Sequence, residues 1–277
     1  MVLIRVLTRK THITERLIDT QNSRCRADDI ASSQDVAVAL HNAVHMQHLA
    51  NGESVTILAV VNQKGGCAKS TTSVHLAYWL QSQGHAVCMI DADAQRSSSI
   101  WLKGLIDVQI PCQVMQSPQA LRQQVPTVAQ EYDYCIVDGP AGLSDATKAI
   151  LACADLAIIP CQPTGVDLRS AADAIRLAWK IRKARQGLPA ARVLLSRAVK
   201  GTRLKDEAIA ILKKAKVPTF ETIIHQRQVV ADTFGQRATV FDLAGRSAIE
   251  ASGEFEQLGR EIIRWRSPAK QPVLPHD

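Results

Sequence analysis

No stretch of this 277-residue chain approaches the roughly 20 consecutive apolar residues that a membrane-crossing helix needs. The apolar run in Met1 to Lys10 is too short and too charged for a secretory signal. The seven cysteines (Cys25, Cys67, Cys88, Cys112, Cys135, Cys153, Cys161) are odd in number and contain no Cys-x-x-Cys pair. Most of them fall in apolar segments, so buried thiols in a reducing, cytoplasmic compartment are expected. Aromatic residues are only 4% of the chain, which disfavours a surface that stacks single-stranded nucleic acid. There is no internal repeat and no low-complexity tract.

What is present is enough for one full core. At 46% hydrophobic, a chain of this length buries one main α/β domain. Its net charge of +7 and pI near 9.1 permit a nucleic-acid or anionic-membrane partner without choosing between them. Residues 1–54 show little periodicity and read as an N-terminal extension, partly disordered, with one helix at Ser33 to Leu49. His41, His45 and His48 share a side of that helix, but no Cys, Asp or Glu nearby completes a metal site, so a solvated face is the reading. The 267–277 tail, with three prolines, reads as flexible.

Between these ends, at 55–266, apolar strand candidates alternate with amphipathic stretches. Strands are expected at Thr56 to Val61, Ala86 to Ile90, Tyr134 to Val137, Leu156 to Cys161, Arg192 to Leu195 and, more weakly, Pro218 to Ile224. Helices are expected at Lys69 to Gln83, Ser117 to Val125, Ser144 to Ala152, Asp167 to Arg185, Leu204 to Lys216 and Ala248 to Trp265. The alternation predicts an α/β fold, an open and mostly parallel sheet with helices on both faces.

The first strand runs into Asn62-Gln-Lys-Gly-Gly-Cys-Ala-Lys-Ser-Thr-Thr72, and a helix leaves it. A glycine turn between a strand and a helix N-terminus presents backbone N–H groups and the positive end of a dipole, which suits phosphate. Lys69 adds a cation, and the Ser70 hydroxyl is placed for a phosphate-bound Mg²⁺. The general phosphate-loop pattern is not met, because its first glycine is missing and Ala68 replaces its second. What the stretch resembles is the deviant Walker A motif of the ParA/MinD family of ATPases, Lys-Gly-Gly-x-x-Lys-Ser/Thr, with Lys64 as the extra signature lysine.

That resemblance extends over about Val55 to Arg264 through further motifs in order. The second strand ends in Asp91-Ala-Asp93-Ala-Gln, similar to the family's Asp-x-Asp-Pro-Gln. Two carboxylates one residue apart in extended chain point to opposite sides. By the match, Asp93 places or activates the attacking water and Asp91 supports Mg²⁺ and the loop; the bland alternative is a helix cap. The third strand ends in Asp138, a Walker B arrangement that delivers a carboxylate beside the metal. The fourth ends in Pro160-Cys-Gln-Pro163, also similar to the family.

The resemblance implies ATP hydrolysis with Mg²⁺. Lys64, Gly65, Gly66, Cys67, Ala68, Lys69, Ser70 and Thr71 would bind the nucleotide; Lys64, Lys69 and Asp93 would be catalytic; and Ser70, Asp91 and Asp138 would surround the metal. It further implies an ATP-dependent homodimer in which Lys64 reaches the partner's phosphates. Arg227 matches, by its distance to Gly235, an arginine with which DNA-partitioning members hold duplex DNA without sequence preference. Lys200, Arg203 and Arg237 lie in the same basic region, together with Arg197, Lys205, Lys213, Lys214 and Lys216. The expected function is a ParA-like, nucleoid-associated ATPase positioning a plasmid, chromosome region or other cargo, stimulated by a ParB-like or cargo-adaptor protein. The alternatives are a MinD-like membrane-cycling ATPase, with Arg260 to Arg266 as its interfacial segment, a cluster carrier like the nitrogenase iron protein, and a catalytically dead scaffold.

Overall fold

The computed structural model describes residues 55–106 and 108–266; residues 1–54, with their expected helix and histidines, and the 267–277 tail lie outside the described residues. The elements run β1 (Thr56–Asn62), α1 (Lys69–Ser82), β2 (Val87–Asp91), α2 (Ser97–Gly104), β3 (Cys112–Val114), α3 (Pro118–Ala129), β4 (Tyr134–Ala141), α4 (Asp145–Cys153) and β5 (Leu156–Cys161). They continue through α5 (Gly165–Ala184), β6 (Ala190–Ala198), α6 (Arg203–Lys214), β7 (Thr219–His225), α7 (Gln228–Asp232) and α8 (Arg246–Arg266).

All pairings are parallel, in the order β3-β2-β4-β1-β5-β6-β7. Parallel strands need covering on both faces, which is why β1, β2 and β5 are continuously buried apolar runs rather than alternating ones. The period of two then sorts their side chains between two cores. Ile57, Ala59 and Val61 of β1 face a core shared with α3, α4, α5 and α6. Leu58 and Val60 face the other, shared with α1, α2 and α8.

Two glycines are required by close approach. At Gly139 on β4 a Cβ would come within 2.7 Å of Val61 Cγ1 on β1. At Gly259 on α8 a Cβ would overlap the Trp79 indole of α1, so this glycine lets the last helix lie against the first. Helix α8 also covers the β7 edge of the sheet: Glu261, largely buried, accepts from the N–H of Glu221 at 3.0 Å and of Thr222 at 2.7 Å. Glu254 likewise accepts from the N–H of His225 at 2.8 Å.

The expected strands and helices are all present within a few residues, and three elements are additional. Strand β3 has three residues and α7 five, too few for a period to show. Helix α2 begins Ser-Ser-Ser, weak helix formers, after Arg96 in a left-handed conformation with no side-chain cap. Gly259→Ala should lower the unfolding free energy by about 2 kcal/mol, the scale of core overpacking. Thermal melting should show it as a drop of about 5 °C, and an unchanged midpoint would refute the packing argument.

Candidate nucleotide site

Because all seven strands run the same way, their C-terminal ends meet along one edge, and the order reverses direction around β1. Such a switch point is where open α/β sheets bind ligands. A cavity of about 850 Å³ opens there, bordered by the loop after β1, the turn after β2, Pro140 and Ala141 of β4, Arg197 of β6 and the segment after β7. Its size is that of a small-molecule site.

The loop is held by its carbonyls and anchors. Asn62 donates its amide to Pro160 O at 2.7 Å and accepts from Ser170 Oγ at 2.9 Å, tying the end of β1 to β5 and α5. Lys69, 7% exposed, donates from Nζ to Lys64 O at 3.2 Å. Ser196 donates to Cys67 O at 2.9 Å. Gly66 O accepts from Arg197 at 2.9 Å and Gln162 at 3.3 Å. No side chain caps the start of α1, so its first N–H groups remain available to an anion.

Ala68 stands at φ 71°, ψ 33°, in the left-handed region. The general pattern has glycine there because an L residue in that conformation costs about 1 kcal/mol.

Of the expected nucleotide residues, Gly65, Gly66, Ala68, Lys69, Ser70 and Thr71 border the cavity, as does Asp93. Cys67 and Lys64 do not. Cys67 is fully buried, its thiol donating to Lys64 O at 3.3 Å, and burial pushes that thiol up. It therefore supports the loop from beneath rather than lining the site. Lys64 turns to Asp167 on α5, with Nζ 2.9 Å from Oδ2, and Thr164 donates to the same carboxylate oxygen. Asp167 had no signal in the sequence beyond its place at a helix start.

The carboxylates divide as strand geometry predicts. Asp91 is fully buried and both its oxygens accept backbone bonds, Oδ1 from Asp93 N at 3.1 Å and Oδ2 from Ser99 N at 2.8 Å. It shapes the turn, and its charge acts on Asp138. Asp93 accepts from Gln95 N at 3.0 Å through one oxygen only, beside the cavity. Asp138 is fully buried, with Oδ1 accepting from Ser73 Oγ at 3.2 Å and Oδ2 without a hydrogen-bond partner. Burial pushes it up to about 6 and the Asp91 charge adds to the rise, while the hydroxyls of Ser70, Ser98 and Ser73 oppose it. A buried carboxylate oxygen with nothing bound to it, next to the Ser70 hydroxyl, is an oxygen donor set that fits Mg²⁺.

The expected DNA residues separate. Arg227 is not a free surface cation: its side chain is 8% exposed and bidentate to Glu254 at 2.6 and 2.7 Å, with Glu250 at 3.4 Å. The match of spacing to Gly235 carried no information about the two acids waiting on α8. Lys200 pairs with Glu250 at 2.8 Å but is 59% exposed, Arg203 is 94% exposed, and Arg237 is also exposed.

Residues 58–240 match the family model described as the CobQ/CobB/MinD/ParA nucleotide binding domain. The chain belongs to this family. A "Maintenance of carboxysome distribution protein A" of Halothiobacillus neapolitanus is 30% identical over 211 residues, 74% of this chain and 95% of that protein. The "Chromosome partitioning protein ParA" of Myxococcus xanthus is 26% identical over 263 residues, 76% of this chain and 89% of that one. Among solved structures, apo McdA of Cyanothece superposes with a TM-score of 0.64 at 18% identity, covering 76% of this chain and 99% of its own. Cobyrinic acid a,c-diamide synthase from Mycobacterium smegmatis, with a bound ATP analogue and magnesium, gives 0.63 at 19% identity, over 78% and 97%. The fold is thus that of the ParA/MinD-type positioning ATPases, a family that binds ATP with Mg²⁺.

Two substitutions test the site. A group whose folded pKa is raised loses stability as the pH rises, here from about 4 to about 6. Asp138 therefore weakens the folded chain at neutral pH by about 3 kcal/mol. Asp138→Asn should raise the melting temperature at pH 7.5, remove the advantage near pH 4, and abolish any stabilisation by nucleotide with Mg²⁺. Ala68→Gly should relieve about 1 kcal/mol in the ligand-free chain, visible as a rise of a few degrees; no rise would mean the loop is unstrained.

Proposed function

We propose that this chain is an ATP-hydrolysing positioning switch: ATP binding joins two copies, the dimer holds duplex DNA without reading its sequence, and a partner protein speeds hydrolysis. The observation that carries this reading is the separation of the two lysines. Lys69 borders the cavity and sits over its own loop, while Lys64 borders no part of it and is held on α5 by Asp167. A lysine kept away from its own ligand site is suited to a phosphate held by another copy.

Within the cavity, Lys69 and the N–H groups at the start of α1 bind the phosphate oxygens. Asp93 orients the attacking water from its free oxygen. Ser70 and Asp138 hold Mg²⁺, which supplies charge neutralisation for the phosphates when bound. The DNA surface is built from Lys200, Arg203 and Arg237 without Arg227. Cargo is the least constrained part: relatives named for carboxysome distribution and for chromosome partitioning both support a positioning role. The membrane-cycling alternative gains nothing at Arg260 to Arg266, which are the last turns of α8, with Ile262 buried and Arg266 over the Tyr134 ring at 4.9 Å. Among the described residues no helix is long and apolar enough to cross a membrane.

The test is co-sedimentation with random-sequence duplex DNA in the presence of ATP, a non-hydrolysable analogue or ADP. Binding should appear with ATP and its analogue, fall steeply with salt, and be lost in Lys64→Ala and in the pair Arg203→Glu, Arg237→Glu. Equal binding with ADP, or binding to anionic vesicles in place of DNA, would overturn the reading. Arg227→Glu is a poor probe, because it would set a third acid against Glu250 and Glu254 and destabilise the fold.

A further inference from the structure

Helix α2 opens on three consecutive serines, and each is used differently. Ser97 borders the cavity. Ser99 is bound into the turn after β2, its N–H donating to Asp91 Oδ2 at 2.8 Å and its hydroxyl to Arg96 O at 3.1 Å. Ser98, between them, is fully buried, and its Oγ has no hydrogen-bond partner. Serine is a weak helix former, and a buried hydroxyl left unbonded carries a desolvation cost that a smaller apolar side chain avoids. The start of the helix gives no reason for a hydroxyl here, so the reason lies in what Ser98 faces.

It faces the end of β4. Asp91, which anchors the start of α2 through Ser99, stands directly opposite Asp138 in the parallel register, and Ala92 donates its N–H to Asp138 O at 2.9 Å. The Ser98 hydroxyl is one of three, with those of Ser70 and Ser73, that favour the charged form of the Asp138 carboxylate. Ser73 is committed to one oxygen, donating to Oδ1 at 3.2 Å. The other oxygen, Oδ2, is buried without a partner, as is Ser98 Oγ. Two unsatisfied oxygens are thus held at one carboxylate, on which the Ser70 hydroxyl also acts. Both can accept, and a water bound to a cation has two protons to give.

We propose that Ser98 is a positioning residue of the metal site: its Oγ and Asp138 Oδ2 together accept the two protons of a water in the shell of Mg²⁺ held at Ser70. Mg²⁺ requires a near-octahedral shell and gives up water reluctantly, so much of its hold on a protein passes through waters that the protein must orient. A lone carboxylate oxygen fixes one proton of such a water, and a second acceptor fixes its direction. Neither Ser98 nor Asp138 borders the cavity, whereas Ser70 does, which puts the pair behind the metal rather than on the nucleotide. The proposal rests on the Mg²⁺ reading of Ser70 and Asp138 above and adds a residue to it.

Ser98→Ala removes the acceptor, and Ser98→Cys nearly keeps the volume while offering only a weak one, so it stands in if the alanine variant fails to fold. The affinity of the full chain and of both variants for ADP is measured by calorimetric titration, first with EDTA and then at graded Mg²⁺. With EDTA the variants should bind ADP within about twofold of the parent, while the Mg²⁺ concentration that half-maximally strengthens binding should rise about fivefold, the loss of one hydrogen bond. Strengthening at the parent's Mg²⁺ concentration in both variants would overturn the proposal. So would an equal weakening of ADP with and without Mg²⁺, which marks a role in holding the loop or the helix alone. An unmodified chain that binds ADP no better with Mg²⁺ than with EDTA would overturn the metal site itself and the role of Ser98 with it, a result distinct from the other two.

Discussion

A loop that must offer its N–H groups to an anion has to satisfy its carbonyls elsewhere, and the upper edge of this sheet is arranged around that requirement. Lys64 O, Gly66 O and Cys67 O each accept from a side chain: Lys69 and Cys67, Arg197 and Gln162, and Ser196. The donors come from three places in the chain, the loop with the start of α1, the residue after β5 and the end of β6, and a parallel sheet with β5 and β6 following β1 brings them to one point. Asn62 completes the arrangement from below by bonding to both β5 and α5. The loop is thus a product of the whole sheet rather than of its own eleven residues.

The charges are apportioned with the same economy of position. Buried acids appear in two forms. Asp91 has both oxygens committed to backbone and is a fixed part of a turn, whereas Asp138 has one oxygen without a partner and a raised pKa. The second form is unfavourable in the ligand-free chain, which is the usual sign of a group whose partner arrives from outside. The cations show the complementary pattern: Arg227 and Lys64 are held by acids on α8 and α5, while Lys69 has only the Lys64 carbonyl.

Much of this was legible in the sequence, because the signals were local. A glycine turn between a buried strand and a helix, two carboxylates at a strand end and an apolar run stopping at Asp138 are all short-range patterns, and each lands at the shared edge. What escaped was set by contacts distant in the chain. Arg227 carries its charge in any sequence reading, but Glu250 and Glu254 neutralise it from a helix more than 20 residues on. Cys67 sits in the middle of the motif yet faces away from the cavity, and the direction of one side chain in an irregular loop has no periodicity to reveal it. Ser98 stood in a run of three serines with nothing to distinguish it until its burial beside Asp138 was seen. Ala68 was visible as a departure from the pattern; its consequence, strain, needed the dihedral.

The carboxylates that α8 lays along β7 have a bearing on how copies of this chain meet. An edge strand with open N–H groups is a template on which another strand, from any chain, can continue the sheet without limit. Here Glu261 and Glu254 occupy N–H groups of Glu221, Thr222 and His225 on that edge, and the opposite edge is β3, only three residues long. Fibrous growth by sheet extension is blocked at one end and given almost no length at the other. Self-association of this chain, where it occurs, is thereby steered to surfaces other than the sheet edges.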